Sequence, residues 1–484
     1  MRPSKSTRFF HKKPLPASPA DQSVNDPLPR SIGLRQLTLI GVGSTLGTGI
    51  FFVMAETAPI AGPAVILSFL LAAFTAGLTA LCYAEVASKL PVSGASYTFT
   101  YITMGEGVAV LVAACLLLEW GIAGAAVSVG WSAYLNQLIE LVIGYGIPVQ
   151  WREPPFQTGV EGLVPGGEGY INLPAIAVVW LSTLLLLRGS KDSARLNALL
   201  TTIKVGILLL FVAMSITVFR AEHFTPFMPF GVSGVSTAAA IIFFSFVGLD
   251  SVVNASEEAI NPQRNIPLAI TSALVIVTVV YVLVALGSLG VQPHTQFVGH
   301  QGGLAAILLQ ATQERWSSIV LALGAVISIF SVTLMTLFGQ SRIYFAMARD
   351  GLLPHHLTDI DPKTHCPRKV TLLAGIAITP LAGFMPSHVL WAAVSLGTLV
   401  VFMAVALALI LLRQQQGSHA PTNHFRVPGY PFTPLASIAA CLYLIANLGS
   451  TVFALFTGWM TVALLFYAFY GKRGAARHQG SIAT

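Results

Sequence analysis

Twelve runs of about 20 apolar residues follow one another along the chain, near 36–56, 64–88, 108–139, 171–187, 195–219, 235–256, 268–290, 317–346, 370–385, 390–412, 433–452 and 454–470. Each has the length that an α-helix needs to cross roughly 30 Å of hydrocarbon. The pieces between them are short, and the longest, 143–170, reads as a loop because of its Pro and Gly. Of the 484 residues 55% are hydrophobic and 9% charged, against roughly 25% charged in soluble domains. Too few charges are present to clothe one or two water-facing domains, so an ordinary soluble enzyme is excluded. The expected fold class is an all-α polytopic membrane protein with 12 transmembrane helices.

The basic residues orient those helices. Residues 1–33 carry Arg2, Lys5, Arg8, Lys12, Lys13 and Arg30 among prolines, without an apolar stretch long enough for a signal peptide. They read as an uncleaved, disordered cytosolic tail. With that tail inside, all of the 26 Lys and Arg residues except Arg152, Arg220, Arg315 and Lys204 fall on the cytoplasmic side, as the positive-inside rule demands. Both termini are then cytoplasmic, with a second tail at 472–484, and a plasma or inner membrane location is expected. The formal charge of +7 faces anionic lipid and needs no nucleic-acid partner. Cys82, Cys115, Cys366 and Cys441 show no CxxC spacing, so neither disulfides nor a metal site is expected.

Two runs break the rules of a lipid-embedded helix. The first contains Gly41, Gly43, Gly47 and Gly49, with hydroxyls from Ser44, Thr45 and Thr48 between them. Gly43 and Gly47 could form a GxxxG packing face; glycines on several faces, with three hydroxyls, favour local unwinding. The sixth run contains Phe243-Phe-Ser-Phe-Val-Gly-Leu-Asp250, a glycine followed by an acid at membrane depth. Paired interruptions at corresponding positions of two halves point to a transporter binding site, with runs 1–5 and 6–10 as inverted repeats. Freed N–H groups at one half-helix end attract a carboxylate, and freed carbonyls accept from an ammonium. Peptide groups alone can hold a zwitterion.

Ionisable groups inside a span are functional candidates by default. Lys204 lies nine residues beyond Arg195, about 13 Å along a helix, a long way for a snorkelling lysine to reach. Glu119 in the third run either faces the central space, pairing with Lys204 or lining a side-chain pocket, or serves a structural ion pair. Asp250 either couples occupancy to gating or caps the second half-helix of its run.

The segments GVGSTLGTGIF at 41–51, AGPAVILSFLLAAFTAGLTALCYAEVASKLPVSGASYTFTY at 61–101, FFSFVGLDSVVNASEEAINPQRNIP at 243–267 and GQSRIYFAMARDGLLP at 339–354 resemble the amino acid-polyamine-organocation superfamily, and within it the cationic amino acid transporters and their bacterial relatives. The resemblance covers roughly residues 30–470 and implies a ten-helix inverted-repeat transport core (34–430), two accessory helices (431–471), alternating access and an L-amino acid substrate. It assigns the substrate carboxylate to Gly47, Thr48 and Gly49, and the ammonium to carbonyls of Thr45, Phe244 and Val247. Phe244 would also close over the substrate as a gate, although packing alone is an ordinary role for phenylalanine. Lys204 would stand where sodium-driven members hold a sodium ion. That implies the proton as coupling ion and no other cofactor, with Gly43 of span 1 and Ser328 or Ser331 of span 8 as partners of the ammonium. Glu85, Glu257, Glu258, Arg264, Arg342 and Arg349 would form an inner-gate polar network.

The function expected is proton-coupled symport of cationic or small neutral L-amino acids, with an exchanger of the same fold as the alternative. A channel or membrane sensor fits the interrupted helices and the buried lysine less well. The chain carries no Walker, HExxH or GxSxG motif, which argues against an ATPase or intramembrane hydrolase. Besides substrate and lipid bilayer, a small accessory membrane helix is a conceivable partner. Glu119 tilts the substrate expectation toward cations.

Overall fold

The computed structural model describes residues 12, 32–47, 49–90, 95–159, 162–188, 193–256, 259–297, 303–312, 314–361, 366–416 and 425–471. Thr48, Glu257, Glu258, the tail 472–484 and most of the N-terminal tail lie outside them. In hydrocarbon every backbone polar group must find its partner within the segment, and a run of some 20 apolar residues can do so only as helix. The described chain is accordingly almost all helix. Its elements are α1 (Leu34–Thr45), α2 (Gly49–Ala61), α3 (Val65–Lys89), α4 (Ala95–Thr103), α5 (Glu106–Ile143), α6 (Val149–Arg152), β1 (Phe156–Gly159), β2 (Gly162–Pro165), α7 (Leu173–Leu187) and α8 (Ser193–Thr217). There follow α9 (Gly231–Ile242), α10 (Ser251–Asn254), α11 (Pro262–Val291), α12 (Gly303–Thr312), α13 (Arg315–Arg349), α14 (Arg368–Phe384), α15 (Ser387–Gln416), α16 (Phe432–Ala446) and α17 (Ser450–Phe466).

Every one of the twelve apolar runs is helical, the first as α1 and α2 and the sixth as α9 and α10. Among the described residues, 8 helical stretches are long and apolar enough to cross a membrane. One of these, Gly49–Lys89, joins α2 to α3, whereas α7, α14 and α16 have only 15, 17 and 15 residues. The connection at 143–170 is not wholly loop. It holds α6 and a hairpin in which Phe156 pairs with Pro165 and Gly159 with Gly162, a register that pairs backbone groups where Pro and Gly alone suggested none. Two short helices, α4 and α12, also lie between runs; at 9 and 10 residues they fall below the length that hydropathy can mark.

The core sits between α5 and α13, the most extensive helix pair. Small residues let these backbones approach: a methyl at Gly124 would stand 3.2 Å from Thr336 Oγ1, and one at Gly121 3.1 Å from Gln340 Nε2. Last along the chain, α16 packs on α3, α9 and α15, and α17 on α5 and α15. Trp459 Nε1 donates to Ala114 O at 2.9 Å and Tyr467 OH to Glu106 Oε1 at 2.8 Å, fixing α17 to α5.

On the surface that carries the expected cytoplasmic charges, Glu85 is fully buried and ties three segments together. It accepts from Arg413 Nε at 2.8 Å, Lys89 Nζ at 2.7 Å and the Val427 amide at 2.7 Å. Arg413 also lies 4.1 Å from the Tyr430 ring centroid. The end of α3, the end of α15 and the chain entering α16 thus converge on one carboxylate. The four cysteines are free.

Candidate functional site

Both interrupted runs leave the helix at the same depth. In the first, α1 ends at Thr45, Leu46 takes φ −68°, ψ 69°, and helix resumes at Gly49. In the sixth, α9 tightens into a 3₁₀ turn at Phe243–Phe246, Val247 becomes extended (φ −64°, ψ 140°), and Gly248 adopts φ 109° before α10. That conformation excludes a side chain at Gly248, and a Cβ there would also stand 2.7 Å from Ser44 O. Gly248→Ala should therefore cost about 1–3 kcal/mol and lower the unfolding temperature in detergent; an unchanged midpoint would show that the break tolerates a side chain. Gly49 is the second close approach, since a methyl there would overlap Ser245 of the other broken run.

Breaking the helices strands peptide groups, and two buried side chains from other helices answer them. Tyr281 of α11 places its hydroxyl 2.7 Å from Thr45 O and 2.7 Å from Ser245 O. A tyrosine has one proton to give, so one of these carbonyls keeps a free lone pair at any moment. Lys204 of α8, 0% exposed, donates to Gly43 O at 2.9 Å. Gly43 lies in the last turn of α1, where carbonyls lack intrahelical partners and the helix dipole is negative; Gly47 N, which would have served it in a continuous helix, bonds Thr45 O at 2.6 Å.

Between the breaks lies a small cavity of about 30 Å³. Its polar end is made of Ser44, Thr45, Gly47, Gly49, Ser245, Val247 and Gly248, and its other walls are Trp120, Ala123 and Val127 of α5, Val332 and Thr336 of α13, and Phe244. Of the residues expected at a substrate site, Thr45, Gly47, Gly49, Phe244 and Val247 are thus brought together, while Thr48 lies outside the described residues. The Phe244 ring lies 4.8 Å from that of Trp391, which continues through Phe52 (5.8 Å) to Tyr134 (4.9 Å) as an aromatic ladder leading away from the cavity.

The remaining candidates lie apart from the cavity wall. Ser331 Oγ donates to Ser328 O at 2.7 Å, and Ser328 Oγ is buried with no hydrogen-bond partner among the described residues, so the bond from Lys204 goes to Gly43 and to neither serine. Ile207, one turn from Lys204, packs against Gly324, one turn from Ser328. Glu119 meets Thr398 of α15 and lies within electrostatic reach of Asp250. Among the described residues neither a bond to Lys204 nor a place in the cavity wall is found for it; Ala123, one turn further along the same face of α5, takes the place in the wall. Asp250 stands at the N-cap position of α10, a helix of only 4 residues; no standard capping bond forms, and its carboxylate interacts instead with the amides of Asp250 and Ser251. Glu85 is ion-paired with Arg413 and Lys89, and Arg342 lies over the Phe338 ring at 4.7 Å. Trp120, Thr336, Ser245, Tyr281 and Trp391 were missed by the sequence reading; Tyr281, a phenol in mid-run, was the one that carried a signal.

Interrupted apolar helices meeting at a buried, peptide-lined cavity, in a chain of membrane-length helices, define a multi-pass membrane protein of the carrier type. The family model described as amino acid permease matches residues 32–471, and the chain belongs to that family, within the amino acid-polyamine-organocation superfamily. A branched-chain amino acid permease of Bacillus subtilis is 37% identical over 97% of this chain and 99% of its own length. A methylthioribose transporter of the same organism is 37% identical over 96% and 98%. A vacuolar cationic amino acid transporter of Arabidopsis thaliana is 36% identical over 81% of this chain and 61% of its own. The family is one of transporters, not enzymes.

Proposed function

We propose that the chain is a secondary active transporter that carries neutral L-amino acids with a proton across the plasma membrane by alternating access. The observation that carries this reading is the cavity itself: peptide groups of two broken helices at one end, and at the other a wall without an ionisable side chain among the described residues. A zwitterion is held by the first. The second fits an uncharged side chain, and the expected tilt toward cations loses its basis once Glu119 stands outside the wall. The branched-chain permease among the relatives supports the same substrate class.

Ten core spans in two inverted repeats are supported by how packing partners exchange between halves. As α1 packs on α11, α9 packs on α3; as α8 packs on α13 and α11, α15 packs on α5 and α3. The half-helices of the first and sixth runs would close on the substrate with Phe244 as gate, and Lys204 on Gly43 O would be the proton site, with Ser328 within its neighbourhood. Asp250 and Glu119, buried and close enough to interact, would join the polar path between substrate and gate. The driving force per proton is about 2.3 kcal/mol per 100 mV.

Purified protein in liposomes, with the outside made acidic, should accumulate labelled leucine, isoleucine, valine or alanine, and arginine far less. Absence of acid-stimulated uptake by folded protein refutes symport. Uptake that appears only in liposomes preloaded with substrate identifies an exchanger.

A further inference from the structure

We propose that Trp120 selects among neutral substrates, favouring side chains that carry an uncharged hydrogen-bonding group, a hydroxyl above all, over their hydrocarbon isosteres. This rests on the amino acid reading of the same cavity. Trp120 lines the cavity and is 5% exposed, yet its indole N–H has no acceptor among the described residues. The ring is held in place: a Cβ at Gly339 of α13 would come within 2.6 Å of it, so the indole lies on the backbone of that helix. One turn before Gly339, Thr336 lines the same cavity and spends its proton on Thr333 O at 2.9 Å. An indole nitrogen can only donate, and a hydroxyl whose proton is engaged can only accept. The residues that line the side-chain end of the cavity therefore include one unanswered donor and one acceptor among the otherwise apolar Ala123, Val127 and Val332.

A buried N–H left without a partner is unfavourable, and a substrate that supplies an acceptor removes that penalty while an isosteric hydrocarbon does not. Sites built to hydrogen-bond a substrate group discriminate against analogues lacking it far better than apolar pockets discriminate against an added hydroxyl. Threonine and valine have nearly the same shape and differ by this group.

The test is competition against labelled alanine uptake in liposomes holding the full chain. Threonine should compete on the order of tenfold better than valine, and Trp120→Phe should bring the ratio close to one by weakening threonine. Equal competition in the unmodified protein, as when a water satisfies the indole, overturns the proposal without any variant being needed. A ratio that survives in Trp120→Phe overturns it as well. If no amino acid is taken up or competes, the transport reading itself falls, which is a different result from threonine and valine competing alike.

Discussion

Lys204→Ala is expected to abolish acid-driven accumulation of substrate while leaving exchange between internal and external pools. The ammonium lies nine residues inside its apolar run, it is fully buried, and it donates to Gly43 O at 2.9 Å in the last turn of α1. That bond reaches from α8 to the half-helix that ends at the cavity, so the charge state of the lysine and the position of α1 are mechanically joined. Removing the side chain removes the proton carrier but not the peptide groups that hold the substrate. One proton per substrate at 100 mV supports an accumulation of about fiftyfold, and the variant should level at unity. Lys204→Met, which fills the same space without a charge, should do likewise. Accumulation retained in both variants would strike the lysine from the mechanism.

Glu85→Ala is expected to cost about 3–5 kcal/mol, the largest loss of stability foreseen for a single side chain here. Its carboxylate is 0% exposed and accepts from Arg413, Lys89 and the Val427 amide. Truncation leaves two cations facing each other and a buried N–H unpaired, at the point where α3, α15 and the chain entering α16 meet. Glu85→Gln keeps an acceptor for Val427 and should fall between. Fluorescence-detected unfolding in detergent reads the difference. A midpoint within error of the unmodified protein for Glu85→Ala would show the cluster to be ornamental.

The helices were legible because lipid reduces folding to length and apolarity, and runs such as 108–139 and 317–346 satisfy both without ambiguity. The two breaks were legible as well: Gly47 and Gly49 in one run and Gly248 in the other stand at or beside the points where the helix stops. The cavity's other walls were not. On α5 and α13 the polar residues are scattered around the helix rather than gathered on one face, so no stripe shows which residues turn inward, and Trp120 and Thr336 look like any others. The partner of Lys204 depended on interhelical registry, which spacing along one helix does not carry; Gly43 was one of three candidates. Glu119 went astray for the same reason, its neighbour being Thr398 on a helix some 280 residues later. The hairpin at 156–165 was hidden by the prolines that bound it.

Tyr281 ties the two broken runs to one another. Its hydroxyl stands 2.7 Å from both Thr45 O and Ser245 O, so one phenol on a third helix is held in common by the two halves of the protein. A shift of either broken run is therefore transmitted to the other through that single side chain.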